Sequence, residues 1–125
     1  MQKQDVERFI TFLEERAAQV RELERQGEAV LAAQGQLAFQ AKAEEKAELL
    51  ASLSADAAKY TRQLDGEEGV QVARRLEQFS TSASTALRIG SVFFMTALLY
   101  PEDHKPGEPN DLEAFIAELK RKMEG

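Results

Sequence analysis

Apolar residues recur along most of the chain at the three- and four-residue spacing that is typical of amphipathic helices. The spacing holds past Gly27, and its phase slips around Gly35. A phase slip beside a glycine favours a tight turn between two helices, so we predict the turn at Gly35, with Gly27 as the alternative position. One uninterrupted helix is the other interpretation, but about 60 residues of helix would be about 90 Å long. The apolar positions before and after the slip are Val6, Phe9, Ile10, Leu13, Ala17, Val20, Leu23, Val30, Leu31 and Leu37, and then Phe39, Ala43, Leu50, Leu53, Ala57, Tyr60 and Leu64.

The stretch Leu87–Tyr100 differs from the rest because it is apolar on every side of a helix. Its fourteen residues, with Arg88 near the start, fall short of the roughly 20 apolar residues that cross a bilayer. The pattern therefore predicts a buried central helix, the last part of a third helix that runs from about Glu67 to Tyr100. The alternative is that a partner protein covers one face of the stretch, which would make it an assembly surface. The predicted buried seam consists of Val72, Leu76, Phe79, Ala83, Ala86, Gly90, Phe93, Ala97 and Tyr100.

All three prolines lie between Pro101 and Pro109, which predicts a loop after the third helix. Asn110, with Glu113 three residues later, then begins a short last helix. A smaller break is expected over residues 52–56, where a serine can cap a new helix start. We therefore predict an all-α fold, an antiparallel helical bundle of three long helices plus one short C-terminal helix, which forms a single domain over residues 1–125.

Composition restricts the function mainly through what the chain lacks. A formal charge of −6, from 16 basic and 22 acidic residues, argues against an autonomous nucleic-acid-binding protein. The absence of cysteine excludes a thiol nucleophile and a thiolate metal site. The first eight residues are too polar to resemble a signal peptide, so we expect a cytoplasmic protein that does not associate with a membrane.

The residues that carry chemistry in other proteins are few here. The single histidine, His104, lies in the proline-flanked loop, and the Glu-x-x-His pairs of a di-iron bundle do not occur. The hydroxyl run 80–85 has no base nearby in sequence and no Gly-x-Ser-x-Gly turn, so it favours close packing of helices rather than nucleophilic catalysis. Glycine-rich phosphate loops, zinc spacings and calcium loops are absent from the sequence. We therefore expect a protein that is not an enzyme, with no catalytic residue, no metal and no cofactor.

One arrangement of basic residues indicates a candidate binding strip. Arg74, Thr81 and Arg88 are spaced by seven residues, so they share one side of the third helix over about 21 Å. Guanidinium and hydroxyl groups in a line are suited to a nucleic-acid backbone, because they contact phosphates without reading bases. An ordinary solvated helix face is the alternative interpretation. The candidate backbone contacts are Arg74, Arg75, Thr81 and Arg88, together with Lys42, Lys46, Lys59 and Arg62 on the preceding helix.

Three functions remain in competition. The leading hypothesis is a non-enzymatic helical interaction protein, a small subunit or adaptor of a larger assembly, whose partners are other protein subunits or a second copy of itself. The second is a helical subunit of a nucleoprotein complex that contacts a nucleic-acid backbone non-specifically, with nucleic acid bound only within that complex. The third is an acidic inhibitor that mimics nucleic acid. A pull-down that finds no partner for a monodisperse monomer would count against the first.

Overall fold

The first turn of the chain lies at Gly35, as the phase slip predicts. The computed structural model describes residues 3–124, apart from the side chain of Glu124. Gly35 adopts a left-handed backbone conformation, with φ of 93°, and its amide nitrogen closes the preceding helix with a hydrogen bond to Val30. Gly27, the rival position, lies inside the first helix against the side chain of Phe39. The helices are α1 (Lys3–Gln34), α2 (Gln36–Ala51), α3 (Leu53–Thr61), α4 (Gly66–Ile89), α5 (Val92–Ala97) and α6 (Asp111–Glu124).

These helices pack as an antiparallel bundle, which confirms the predicted all-α class; the described residues contain no strand. Helix α1 contacts α2, α3 and α6, whereas α4 packs against α2 and α3 from the other side. Phe9 and Leu13 of α1 are fully buried beside Leu50 and Leu112. The core therefore forms where the apolar stripes of α1, α2, α4 and α6 meet. None of the described helices combines the length and apolarity needed to cross a bilayer.

The predicted second helix is divided at Ser52 into α2 and α3. The hydroxyl of Ser80, on α4, joins the two pieces: it donates to the carbonyl oxygen of Leu50 at 2.8 Å and accepts from the amide of Ser54 at 3.0 Å. These bonds satisfy one acceptor near the end of α2 and one donor at the start of α3, groups that helix ends leave without partners. One serine of the hydroxyl run therefore has a specific structural role.

The last predicted helix begins as expected. The amide of Glu113 donates to the side-chain oxygen of Asn110 at 2.9 Å, and the amide of Asn110 donates to the Glu113 carboxylate at 2.8 Å. This reciprocal pair is a capping box. It fixes the start of α6, whose apolar face packs against α1.

The third helix does not continue to Tyr100, and the prediction of a buried central helix is wrong. Gly90 adopts a left-handed conformation with φ of 73°; its amide donates to Leu87, and the amide of Ser91 donates to Ala86. This pair of bonds is the Schellman motif that ends helices. The side chain of Ser91 then accepts a hydrogen bond from the amide of Phe94 and caps α5. The chain therefore changes direction within two residues, and the seam that runs down α4 does not continue into α5.

Candidate interaction surface

The break at Gly90 places three large apolar side chains in solvent. Phe93 is 74% exposed, Phe94 50% and Ile89 58%. The two phenyl rings contact each other edge to face, with centroids 5.8 Å apart. We refer to Ile89, Phe93 and Phe94 as the apolar patch. Monomeric proteins tolerate scattered exposed apolar residues, whereas adjacent ones mark sites of interaction.

A groove borders the patch. It has a volume of about 460 Å³ and lies between α4, from Thr81 to Ile89, and the segment from Phe94 to Pro101. Asp111, the first residue of α6, lines it as well. Leu99, at its wall, is buried and has a positive φ of 75°, a conformation that costs a leucine roughly 1–2 kcal/mol. The amide of Asp111 donates to the carbonyl of Leu99 at 2.9 Å, which helps to hold that conformation.

Helix α5 is anchored on its inner side, so the patch is held in place rather than carried by a loose loop. Met95 is buried against Ala43 and Ala47 of α2. The ammonium of Lys46 lies 3.1 Å from the carbonyl oxygen of Thr96 and 3.0 Å from the carboxylate of Glu24. Apolar contacts and a buried polar link therefore fix the same short helix.

Lys46 was predicted to contact a nucleic-acid backbone, and its position rules out that contact. Its side chain is only 3% exposed, and its ammonium lies 5.0 Å from the centre of the Tyr100 ring. Burial lowers the pKa of Lys46, and the carboxylate of Glu24 opposes that shift. The residue has the sequence signature of a solvated helix face but is a structural cation inside the bundle.

Tyr100 and Glu113 extend this polar network across the bundle. The Tyr100 hydroxyl donates to the Glu24 carboxylate at 2.7 Å, and Arg21 donates to Tyr100 and to both oxygens of Glu113. Burial, followed by the hydrogen bond to Glu24, raises the pKa of Tyr100 to about 12. His104 lies in the loop, as predicted, and its ring packs on the Tyr100 ring with centroids 4.8 Å apart. The network ties α1 and α2 to the loop and to the start of α6.

Three members of the predicted basic strip lie as expected. Arg74, Thr81 and Arg88 are all exposed, and they belong to the single helix α4, so the seven-residue spacing places them on one side. Neither Arg74 nor Arg88 forms an ion pair with any side chain that the structure describes. These three residues are the part of the strip that the structure brings together.

Each of the remaining candidates contacts another group of the chain. Arg75 lies over the rings of Phe79 and Phe115, at the contact between α4 and α6. Lys42 is ion-paired with Glu45 of its own helix. Further along the chain, on and just after α3, the Lys59 ammonium lies over Tyr60 and the Arg62 guanidinium donates to the carbonyl of Ala58. Because Lys46 is buried, the eight candidates cannot all contact one nucleic-acid backbone.

The patch itself was assigned to the core from sequence, because apolar residues around a whole helix favour burial. The available signal was the pair Gly90–Ser91, a helix-ending glycine followed by a capping serine, inside an otherwise apolar stretch. If that pair is interpreted as a helix break, Phe93 and Phe94 no longer belong to the buried seam.

No protein family, curated protein sequence or solved structure matches the chain, so the surface is interpreted from its own geometry.

Proposed function

We propose that this chain is a non-enzymatic helical interaction protein, a small subunit or adaptor of a larger assembly, and that the apolar patch binds its partner. The observation that supports the proposal most directly is the exposure of Phe93 and Phe94 on a helix that Lys46 anchors from within. A rigid surface binds with a smaller loss of conformational entropy than a mobile one. A cytoplasmic location is part of the same proposal.

The size of the exposed rings suits a binding site. With roughly 200 Å² per phenylalanine, exposures of 74% and 50% leave about 250 Å² of aromatic surface in water. At about 25 cal/mol per Å², covering the two rings contributes about 6 kcal/mol before the entropic costs of association. Aromatic side chains surrounded by less important contacts are the usual centres of protein interfaces. The two rings are therefore the energetic centre of the proposed interface.

Photo-crosslinking in cells that produce the chain tests the proposal. A photoreactive phenylalanine analogue at Phe93 is expected to give discrete crosslinked products on irradiation. The matched control carries the same analogue at Val70, an apolar side chain of α4 that is 51% exposed and lies outside the patch. Products from both positions in equal yield, or from neither, would refute the assignment of the interface to the patch.

A second function, a helical subunit of a nucleoprotein complex, is supported by the exposed Arg74, Thr81 and Arg88 on one side of α4. It requires non-specific binding that weakens steeply with salt. The double variant Arg74→Glu/Arg88→Glu should abolish that binding, whereas Arg8→Glu/Arg121→Glu, with the same change of net charge, should not. Binding that the first variant leaves unchanged would remove this proposal. Competition for a basic partner without direct binding would instead support the acidic inhibitor.

A further inference from the structure

We infer that a cavity between α1 and α2, which Thr96 and Tyr100 also line, binds a small phosphate monoester with an apolar group. We refer to it as the cationic cavity. Its volume is about 410 Å³, and small-molecule sites have volumes of roughly 300–1,000 Å³. None of the three residues of the apolar patch lines it, so the two sites are separate.

Cations outnumber carboxylates in the lining of this cavity. Four cationic side chains line it against two carboxylates, a formal charge of +2 in a chain whose net charge is −6. The cations come from both facing helices, Arg21 and Arg25 from α1 and Lys42 and Lys46 from α2. A phosphate monoester carries about −1.5 to −2 charges at pH 7. Its charge therefore complements that of the lining.

Arg25 and Lys42 have ion-pair partners that a ligand can replace. Arg25 pairs with Glu22 and Lys42 with Glu45, each three residues away on its own helix, and neither glutamate lines the cavity. Exposed pairs of this kind contribute little to stability. Each glutamate pairs with one of these two cations, whereas the three terminal oxygens of a phosphate can accept from both. Nη1 of Arg25 donates to no described residue and is available as well.

The most buried side chain of the lining that carries a charge is a cation too. Lys46 is only 3% exposed, and its ammonium lies 3.1 Å from the Thr96 carbonyl oxygen and 3.0 Å from the Glu24 carboxylate. An ammonium has three N–H donors, so one has no oxygen acceptor among the described residues; the Tyr100 ring lies 5.0 Å away. Burial lowers the pKa of Lys46 because it penalises the charged form. A bound phosphate therefore supplies negative charge beside an ammonium that only one carboxylate neutralises.

The rest of the lining is largely apolar and suits the organic part of the ligand. Leu23 of α1 faces the same cavity as Phe39 and Ala43 of α2. An aromatic ring can pack on the Phe39 ring while its phosphate reaches the cations. Inorganic phosphate would leave these apolar side chains in contact with water. A monoester is therefore expected to bind more tightly than phosphate itself.

Nuclear magnetic resonance titration of the full chain with phenyl phosphate tests the inference. The compound should bind with a dissociation constant of about a few millimolar, as its small size implies. The amide signals of Gly27 and Ala43, in the lining, should shift and saturate, whereas that of Gly69, beside a different cavity, should not. Phenol and inorganic phosphate are the matched probes, one without the anion and one without the ring.

A double variant tests the two replaceable cations. Arg25→Gln/Lys42→Gln should raise the dissociation constant for phenyl phosphate at least about tenfold, because both hydrogen bonds to a charged group are lost. The control Arg8→Gln/Lys59→Gln makes the same change of net charge at exposed positions outside the cavity and should leave the constant unchanged. Circular dichroism checks that both variants fold.

Each other result overturns a stated part of the inference. Phenol that binds as tightly as phenyl phosphate would show that the site does not recognise an anion. Equal binding of inorganic phosphate would remove the role of the apolar lining. Shifts that never saturate, or equal affinity in wild type and Arg25→Gln/Lys42→Gln, would overturn the site itself. The crosslink from Phe93 should persist in that variant, so failure here is distinguishable from failure of the proposed function.

Discussion

Replacing Ser80 with alanine tests whether the bundle depends on a hydroxyl that joins three helices. The side chain is only 8% exposed, and its oxygen bonds both to the carbonyl of Leu50 and to the amide of Ser54. Alanine removes both hydrogen bonds at once, because a single hydroxyl makes them. The break between α2 and α3 then has a buried acceptor, the carbonyl of Leu50, and a part-buried donor, the amide of Ser54, without their side-chain partner.

The size of the effect follows from these two bonds. A buried polar group that loses its partner costs about 1–3 kcal/mol, and the higher helix propensity of alanine returns about 0.5 kcal/mol. We therefore expect Ser80→Ala to lower the free energy of unfolding by about 2 kcal/mol. For a domain of this size that corresponds to a fall in Tm of roughly 6–8 °C.

Urea unfolding followed by circular dichroism measures the change, with Ser84→Ala as the matched control. Ser84 lies one turn further along the same helix and is exposed, so alanine there should leave stability unchanged or raise it by about 0.5 kcal/mol. Equal stabilities for the two variants would refute the role assigned to the Ser80 hydroxyl. A changed slope with urea would show instead that the native or unfolded state had changed in compactness.

Three further predictions concern charge and packing. The hydrogen bonds from Arg21 lower the pKa of Glu113 below 4.5, so its stabilising contribution is complete above pH 4.5 and is lost as the pH falls through the lowered value. The difference in unfolding free energy between wild type and Glu113→Gln should therefore narrow in acid, and a constant difference would contradict this. Gly69→Ala should destabilise by about 1–3 kcal/mol because its new Cβ would collide with a backbone carbonyl, whereas Gly27→Ala, with only ordinary contacts, should stabilise by up to about 1 kcal/mol; thermal melts compare the two. Lys46→Met should cost about 2–4 kcal/mol by urea unfolding because it removes the nearer of the two cations beside the partly buried carboxylate of Glu24, and Arg21 remains at 3.9 Å. The same change at exposed Lys59 should cost almost nothing.

The features that could be predicted from sequence are those set by a few neighbouring residues. The turn at Gly35 follows from a glycine at a change of phase, and the start of α6 follows from Asn110 with Glu113 three residues later. In both places local backbone chemistry and the wider hydrophobic pattern favour the same structure. A local prediction is reliable when the backbone chemistry of a few residues and the hydrophobic pattern of the whole helix agree in this way.

The features that could not be predicted depend on residues far apart in the chain. Lysine usually prefers solvent, and the acidic neighbours of Lys46 in the sequence also suggest an exposed position. Its burial is favourable because of contacts with two other parts of the chain, which supply Glu24, Thr96 and Tyr100. The use of Ser80 at the break between α2 and α3 is similar, because its two partners are 26 and 30 residues away. Periodicity along a single helix contains no information about either partner.

The exposed patch arises from a conflict between two local signals. Apolar residues around the whole of Leu87–Tyr100 favour a continuous buried helix, whereas Gly90 and Ser91 favour an end and a new start. Had the helix continued, the seven-residue spacing from Phe79 through Ala86 would have kept Phe93 in the seam. Because the glycine ends the helix, α5 buries Met95 and turns Phe93 outward. The exposure of two phenylalanines to water is unfavourable, and a partner that covers them removes this cost in free energy. Gly90 and Ser91, which break the helix, therefore also create the surface proposed for binding.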